Sequence, residues 1–522
     1  MSRFATAAIC LAIALLSYFQ FPGHTWLQQD TQIYEPILEH QLDPTVLRND
    51  PIAMQQSHVA FTLYDETARV LRAVTGSRFQ TVFAVEQIAA RALGVWGLYL
   101  LAGGGVTGWL VALICSLGAY VAGPAILTME YEPSPRAIAL PLVICAIGLA
   151  TGGRFVAAGI SGAVGVLYHP PTALPFWAVY AVISAARRRW IALIPLAVSI
   201  AILAVSVAAE AEPGQTRALF SRLTPLDEQL QRMRTGYAWI STWPVSRIVS
   251  PIAAFAGAVA ALWRIRAESL KESRSFLLGL GALGVVMMPL SWLLLERGKW
   301  ALLPQGQPMR LLLFASLALQ FGGALAGATA LRKDRRLEAA AWFALAYLLP
   351  LTPLDWRRSG VCAALAIATT LAARFAPVVA VASFFAIPLL GGVQNYPRLH
   401  TPELEQLSGW ARSSTSRDAV FLFADAGRSL DPGLFRAESL RAVYVDWKGG
   451  GQINFFRDFA ELWWFRWQQT LGRSFTPNEM PRYEPLGVTH VVLNPAHRLP
   501  EEPLFENRRY IVYTASPARQ SR

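Results

Sequence analysis

The chain has 522 residues, of which 54% are hydrophobic and 15% charged, with a formal net charge of +12. Soluble chains carry roughly 25% charged residues, so this composition excludes an ordinary soluble globular protein. Apolar runs of membrane-spanning length recur through the first three quarters, which points to a polytopic α-helical membrane protein. Cytoplasmic loops of such proteins collect Arg and Lys, so the positive charge does not require nucleic acid as a partner.

The first apolar run, 4–21, follows the basic start "MSR" but ends in "SYFQFPGHTW", without a small-x-small cleavage site, and is read as an uncleaved helix. Further runs fall at 81–101, 106–128, 136–150, 155–168, 172–186, 190–208, 248–263, 275–295, 310–331, 338–354, 359–373 and 377–391. That makes about 13 spans, several shorter than the roughly 20 residues a crossing helix needs. Lys and Arg are denser in the short loops 103–105, 151–154, 187–189, 264–274 and 332–336 than in the alternate loops. This bias predicts a cytoplasmic N-terminus, and an odd number of spans then puts everything after 391 outside. Cys10, Cys115, Cys145 and Cys362 all lie within apolar runs and imply neither a disulfide nor a metal site.

Two outer loops are large. In 22–80, the stretch "SHVAFTLYDETARVLRAV" places Phe61, Tyr64, Ala68 and Leu71 on one helical face, with Asp65, Arg69 and Arg72 on another. That pattern predicts an amphipathic helix on the membrane surface, and 30–42 predicts a shorter one. The loop 209–247 is polar and carries Arg217, Arg222, Arg232 and Arg234, as an interfacial segment or a cover over a site.

The last 130 or so residues change character, with strands and helices alternating as in a small α/β domain. "TPELEQLSGWARSS" predicts a helix with Thr401 as N-cap and Pro402 at its first position. "AVFLFA", "RAVYVDW", "VTHVVLNP" and "RYIVYTA" predict short strands, and 454–472 a helix ended by Gly472. "KGGG" at 448 lacks phosphate-loop spacing and is read as a plain loop. Two domains are therefore expected, a transmembrane one over 1–391 and a periplasmic α/β one over 392–522.

Ionisable groups gather at the outer loop edges of this topology: Asp30, then Glu130, Glu132 and Arg136 in "MEYEPSPR", His169 in "YHPP", Arg297 and Lys299 in "ERGKW", and Arg310. Charges near a bilayer are costly and those that persist usually line cavities or pathways. A carboxylate can take a proton from an attacking hydroxyl while Arg and Lys stabilise a phosphate leaving group. Each residue also has a structural reading. Asp30 would cap the helix that begins at Thr31, Tyr34 and Glu35 would serve the interface, and His169 would bond a helix end. Glu86 and Arg91, inside the second run, would pair with neighbouring helices, and the aromatics of "ELWWFRW" would form the buried side of a helix or a seat on the membrane surface, against a functional reading as a platform for a sugar.

The segments "DTQIYEPILEHQLDPTVLRNDP", "EYEPSPRA", "LYHPP", "QPMRLLLF", "RAVYVDWKGGG" and "LGVTHVVLNP", in this topology, resemble the GT-C superfamily of integral membrane glycosyltransferases, in a bacterial branch. The resemblance implies a polyprenyl-phosphate-linked sugar as donor, a lipid or glycan acceptor, and inverting transfer at the outer face of the bacterial inner membrane. It implies Asp30 as general base, Glu130 or Glu132 as the second acidic position, and Arg310 with Arg297 or Lys299 on the lipid phosphate. Tyr34, Arg136 and His169 would complete the substrate site. The second motif reads Glu-Tyr-Glu rather than Asp-x-Asp, which puts in question a divalent cation held by Glu130 and Glu132, and the resemblance to relatives with monophosphate donors implies a reaction without metal. The rival readings are a transporter or flippase for a lipid-linked or anionic solute, in which Glu86 and Arg91 matter more, and a non-catalytic membrane scaffold.

Overall fold

The computed structural model describes residues 2–21, 24–54, 62–121, 123–124, 126–210, 221–267, 271–350, 355–390 and 399–515. Phe61 and Arg217 lie outside the described residues. The chain divides into two compact units, one of Met1–Thr25, Phe61–Ala209 and Gly236–Asn395, the other of Trp26–Ala60, Glu210–Thr235 and Tyr396–Arg522. The second unit thus takes in the short segment that carries Asp30 as well as the expected C-terminal domain.

The first unit is helical. Among the described residues, four helices are long and apolar enough to cross a membrane: Trp190–Ala209, Val245–Arg264, Lys271–Arg297 and Leu302–Arg332. Trp356–Leu371 and Ala373–Leu389 form a pair bent by 105° that makes a fifth, and shorter apolar helices cover Arg3–Phe19, Gly105–Ser116, Pro135–Thr151 and Phe155–Tyr168. Most of the expected runs coincide with a helix to within a few residues, but the run 106–128 does not stay helical. Its helix stops at Ser116, Gly118 takes φ +78°, and the chain continues as β1 (Tyr120–Val121) paired antiparallel with β2 (Ile126–Leu127). Gly118 populates this left-handed geometry at no steric cost, and Gly123 and Pro124 in the turn oppose a return to helix.

Helix Phe79–Leu101 packs closely on Pro135–Thr151, because glycines face each other. A Cβ on Gly97 would lie 2.5 Å from the Ile144 carbonyl oxygen, and one on Gly148 would meet the Gly97 backbone. Small residues at such a crossing let two backbones approach, which is how helices gain contact where lipid is the solvent.

The amphipathic helix of the first large loop spans Tyr64–Thr75 and ends at Gly76, with φ +67°. Its buried stripe is Tyr64, Asp65 and Ala68, while Val70, Leu71 and Val74 are exposed. The stripe is therefore rotated from the expected face, away from Leu71 and toward Asp65. Tyr64 sets this rotation: its hydroxyl donates to the Pro133 carbonyl at 2.8 Å and its ring stacks on Phe83 with centroids 4.7 Å apart.

The second unit is built on a five-stranded sheet of β3 (Val420–Phe423), β4 (Ala442–Val443), β5 (His490–Leu493), β6 (Phe505–Glu506) and β7 (Ile511–Thr514), in the order β4-β3-β5-β7-β6. β4, β3 and β5 are parallel, and β7 and β6 continue the sheet antiparallel. The helix Pro402–Ser414 starts as expected, with Thr401 Oγ1 accepting from the Leu404 amide at 3.3 Å. The sequence reading missed the helix Asp431–Ser439, a short one that opens on Asp-Pro-Gly and reads as a turn, and the two-residue edge strand β6. One core joins all three segments of the unit: Ile33, Ile37 and Ile52 from the first and Leu230 from the second pack with Leu422, Tyr444, Trp463, Val491 and Ile511.

Candidate functional site

The Glu130–Arg136 loop belongs to the first unit and is held from three sides. Gln87 Nε2 donates to the Glu130 and Tyr131 carbonyls at 2.9 and 3.1 Å, Arg91 donates to the Glu130 carbonyl, and Tyr64 holds Pro133. Arg91 is fully buried and its other arm donates to Ser17 Oγ at 2.8 Å, so this cation inside an apolar helix ties Arg3–Phe19 to the acidic loop. Glu86 receives the Tyr168 hydroxyl at 2.9 Å. Both residues thus pair with neighbouring segments, as a structural role requires.

Within the loop, Glu130 Oε1 accepts from Arg136 Nε at 2.9 Å and from the Leu127 amide at 3.2 Å, with both charged side chains more than nine-tenths buried. Arg136 sits in the first turn of Pro135–Thr151, where the helix dipole disfavours a cation, and Glu130 supplies the compensating charge. Glu132 is buried at 4% exposure. Among the described residues no group of three or more His, Cys, Asp or Glu is placed to hold a metal ion. Glu130 Oε1 is already taken up by Arg136 and the Leu127 amide, which makes it a poor donor to a divalent cation.

Lys299 and Arg310, also in the first unit, converge on one aromatic turn. Lys299 takes φ +57° and lays its Nζ 5.3 Å from the Trp239 ring centroid, and the Arg310 guanidinium lies 5.6 Å from that of Tyr237. Gln307 Nε2 donates to the Tyr237 hydroxyl at 3.4 Å, and Glu296 accepts the Ser241 amide at 2.9 Å. Trp239 is fully buried. The loop 209–247 therefore contributes Tyr237 and Trp239 beside two of the expected phosphate ligands. Sequence reasoning saw the arginines of this loop and passed over "GYAWISTW", whose aromatic density beside a membrane was the available signal. Arg297 is exposed and stacks instead on Trp292, at 4.9 Å. His169 caps the helix Pro170–Ala186: its Nδ1 accepts the Thr172 amide at 3.2 Å and meets Thr172 Oγ1 at 2.8 Å.

Asp30 belongs to the second unit. It stands at the N-cap position of Thr31–Leu42, and its carbonyl accepts from the Ile33 and Tyr34 amides at 2.9 and 3.2 Å. Its side chain makes no capping hydrogen bond. The carboxylate instead accepts from Lys448 Nζ at 2.7 Å, across 418 residues of sequence. Tyr34 and Glu35 are half-buried on the same helix. The segment is fixed to the sheet by Asp50, whose Oδ2 accepts from Arg436 Nε at 2.6 Å and from the Val443 amide at 2.9 Å. Arg436 also pairs with Asp446, and all three side chains are at most 1% exposed. Burial pulls the guanidinium's pKa down, but Asp446 and Asp50 more than offset it and the net shift is upward, so Arg436 stays charged.

No protein-family model matches the chain, and no curated protein matches it by sequence. Among solved structures, ArnT from Cupriavidus metallidurans bound to undecaprenyl phosphate is 13% identical and superposes over 99% of this chain and 99% of its own, with a TM-score of 0.52. This chain has the GT-C fold. The mycobacterial arabinofuranosyltransferase AftD, at 15% identity and a TM-score of 0.50, shares that fold over 95% of this chain, which spans 35% of AftD's length. The GT-C fold accounts for a multi-pass helical chain with apolar spans.

Proposed function

We propose that this protein is a glycosyltransferase of the bacterial inner membrane that moves a sugar from a polyprenyl-phosphate carrier to a lipid or glycan hydroxyl at the outer face. The observation that carries the reading is the likeness, over the whole of both chains, to ArnT bound to undecaprenyl phosphate. In this reading the N-terminus is cytoplasmic and about 13 spans, some short or broken, place the α/β domain in the periplasm.

Asp30 is the general base. It takes the proton from the acceptor hydroxyl as that oxygen attacks the anomeric carbon. The new carbon–oxygen bond forms as the bond to the lipid phosphate breaks, the configuration inverts, and polyprenyl phosphate leaves with the electron pair. Lys299 and Arg310 stabilise the charge that develops on the phosphate, beside the aromatic faces of Tyr237 and Trp239. Glu130 and Arg136 hold the acidic loop in shape, which leaves Glu132 as the second carboxylate. Tyr34 lines the acceptor side, while His169 and Arg297 act on helix ends and ring faces.

The test is release of polyprenyl phosphate by purified protein in lipid, from a panel of polyprenyl-phosphate sugars, with wild type and Asp30→Asn side by side. Release that Asp30→Asn reduces by about a thousandfold, the middle of the range for losing a base, supports the mechanism. Undiminished release by Asp30→Asn removes it. Transfer of intact lipid across the bilayer, with no release from any donor, would move the assignment to a flippase.

A further inference from the structure

Lys448 makes the closest described side-chain contact to the proposed base, at 2.7 Å. We propose that Lys448 is the positioning residue for Asp30, holding its carboxylate ionised and in one orientation; this rests on Asp30 being the base.

Lys448 comes from the "KGGG" stretch, which has the composition of a plain loop but is a built turn. Lys448 starts the 3-10 turn Gly449–Asn454, the Gly451 amide donates to its carbonyl at 2.9 Å, and the Gly449 amide donates to Asp446. Trp463 Nε1 donates to the Asp446 carbonyl at 2.8 Å. Gly450 is required by packing, since a Cβ there would lie 2.5 Å from the Trp463 ring. The lysine side chain is 14% exposed against 33% for Asp30, so the ammonium is held largely out of water with the carboxylate at the rim.

The two ends of the pair share one support. Arg436 binds Asp50 on the segment that carries Asp30 and Asp446 on the turn that carries Lys448. A surface ion pair between two long, free side chains contributes little. This one joins two backbones already fixed to a common buried arginine, so little further ordering is needed to form it. The helix of Asp30 also carries Glu35 and Glu39 and packs on Asp431–Ser439. The charged groups on that neighbour have partners of their own: Asp431 accepts from Arg509 and Tyr510, Arg436 is bound as above, and Glu438 lies 3.7 Å from His400. Lys448, at 2.7 Å, is the cation that favours the ionised form of Asp30.

The experiment compares wild type, Lys448→Met, Lys448→Arg and Asp30→Asn in lipid, with kcat, donor KM and the pH dependence of kcat/KM for polyprenyl phosphate release. We expect Lys448→Met to lower kcat about tenfold with donor KM little changed, and to move the acid limb of the profile up by about one pH unit, the smaller end of the effect of an adjacent cation. Lys448→Arg should restore most of both. An unmoved acid limb in Lys448→Met would overturn the proposal, and a raised donor KM with that limb unmoved would place Lys448 on the donor instead. Loss of activity in Lys448→Met with full activity in Asp30→Asn would instead remove Asp30 as base. Independently of turnover, infrared titration of ¹³C-aspartate protein, with Asp30→Asn subtracted, reads the Asp30 carboxylate directly in wild type and Lys448→Met. Equal midpoints there would overturn the proposal, and Lys448→Gln serves if the methionine variant does not fold.

Discussion

Asp30 caps its helix with its backbone and leaves its carboxylate to another partner, and this divergence shows how far single residues can be read. The sequence marks it as a cap candidate and as a carboxylate beside a membrane; it cannot show Lys448, because the pairing crosses 418 residues. Arg91 is legible in the same partial way. A buried cation in an apolar run demands a partner, but that the partner is a carbonyl of the Glu-Tyr-Glu loop depends on packing. Arg91→Met should lower the stability of the first unit by about 1–3 kcal/mol, the range for losing hydrogen bonds from a buried charge, read as a lower melting temperature in nanodiscs. Gln87 still serves the same carbonyl, so the fold should survive. His490 offers a pH test in the second unit. Burial holds its imidazole down at about 4 from an ordinary 6.5, and its ring stacks on Phe421 with centroids 4.6 Å apart. Below 6.5 the unfolded chain takes a proton that the folded one refuses until about 4. The contribution of His490 is therefore complete above 6.5 and is lost as the pH falls through 4. His490→Phe should flatten the fall in melting temperature across that window, read by near-ultraviolet circular dichroism.

At the scale of elements, apolar runs located most helices because hydrophobicity in a membrane chain is nearly a length measurement. The break after Ser116 was legible in Gly118, Gly123 and Pro124, but the apolar residues around them masked it. The rotation of Tyr64–Thr75 was not legible: spacing gives a face, and the Tyr64 contacts with Pro133 and Phe83 choose which face is buried. The crossing of Phe79–Leu101 and Pro135–Thr151 was likewise invisible, since a glycine in an apolar run does not name its neighbour. Gly97→Val should be destabilising by at least about 1–3 kcal/mol, because the new side chain meets backbone that cannot yield. Gly360→Ala, in the helix Trp356–Leu371 with open space around its Cβ, is the control and should be neutral or slightly stabilising. Thermal melts of the two variants in the same lipid decide the comparison.

For the whole molecule, alternating strands and helices announced the α/β unit, and the GT-C resemblance announced the architecture of the rest. What composition could not announce is that the α/β core is completed by Ile33, Ile37, Ile52 and Leu230 from far upstream. The fragment 396–522 expressed alone should therefore lack a cooperative transition, with Arg436 and its core uncovered, and adding a peptide of residues 26–60 should restore dispersion in its amide spectrum. A sharp melt of the fragment alone would show that the upstream segment is dispensable. The same discontinuity has a consequence in time. Asp50 leaves the ribosome 386 residues before Arg436. At about 5–20 residues per second, its segment waits roughly 20 to 80 seconds for the arginine that will bury it. During synthesis the carboxylates of this segment are a hydrated stretch between apolar helices, and the buried pair of Asp50 with Arg436 closes only after those 386 residues have been made.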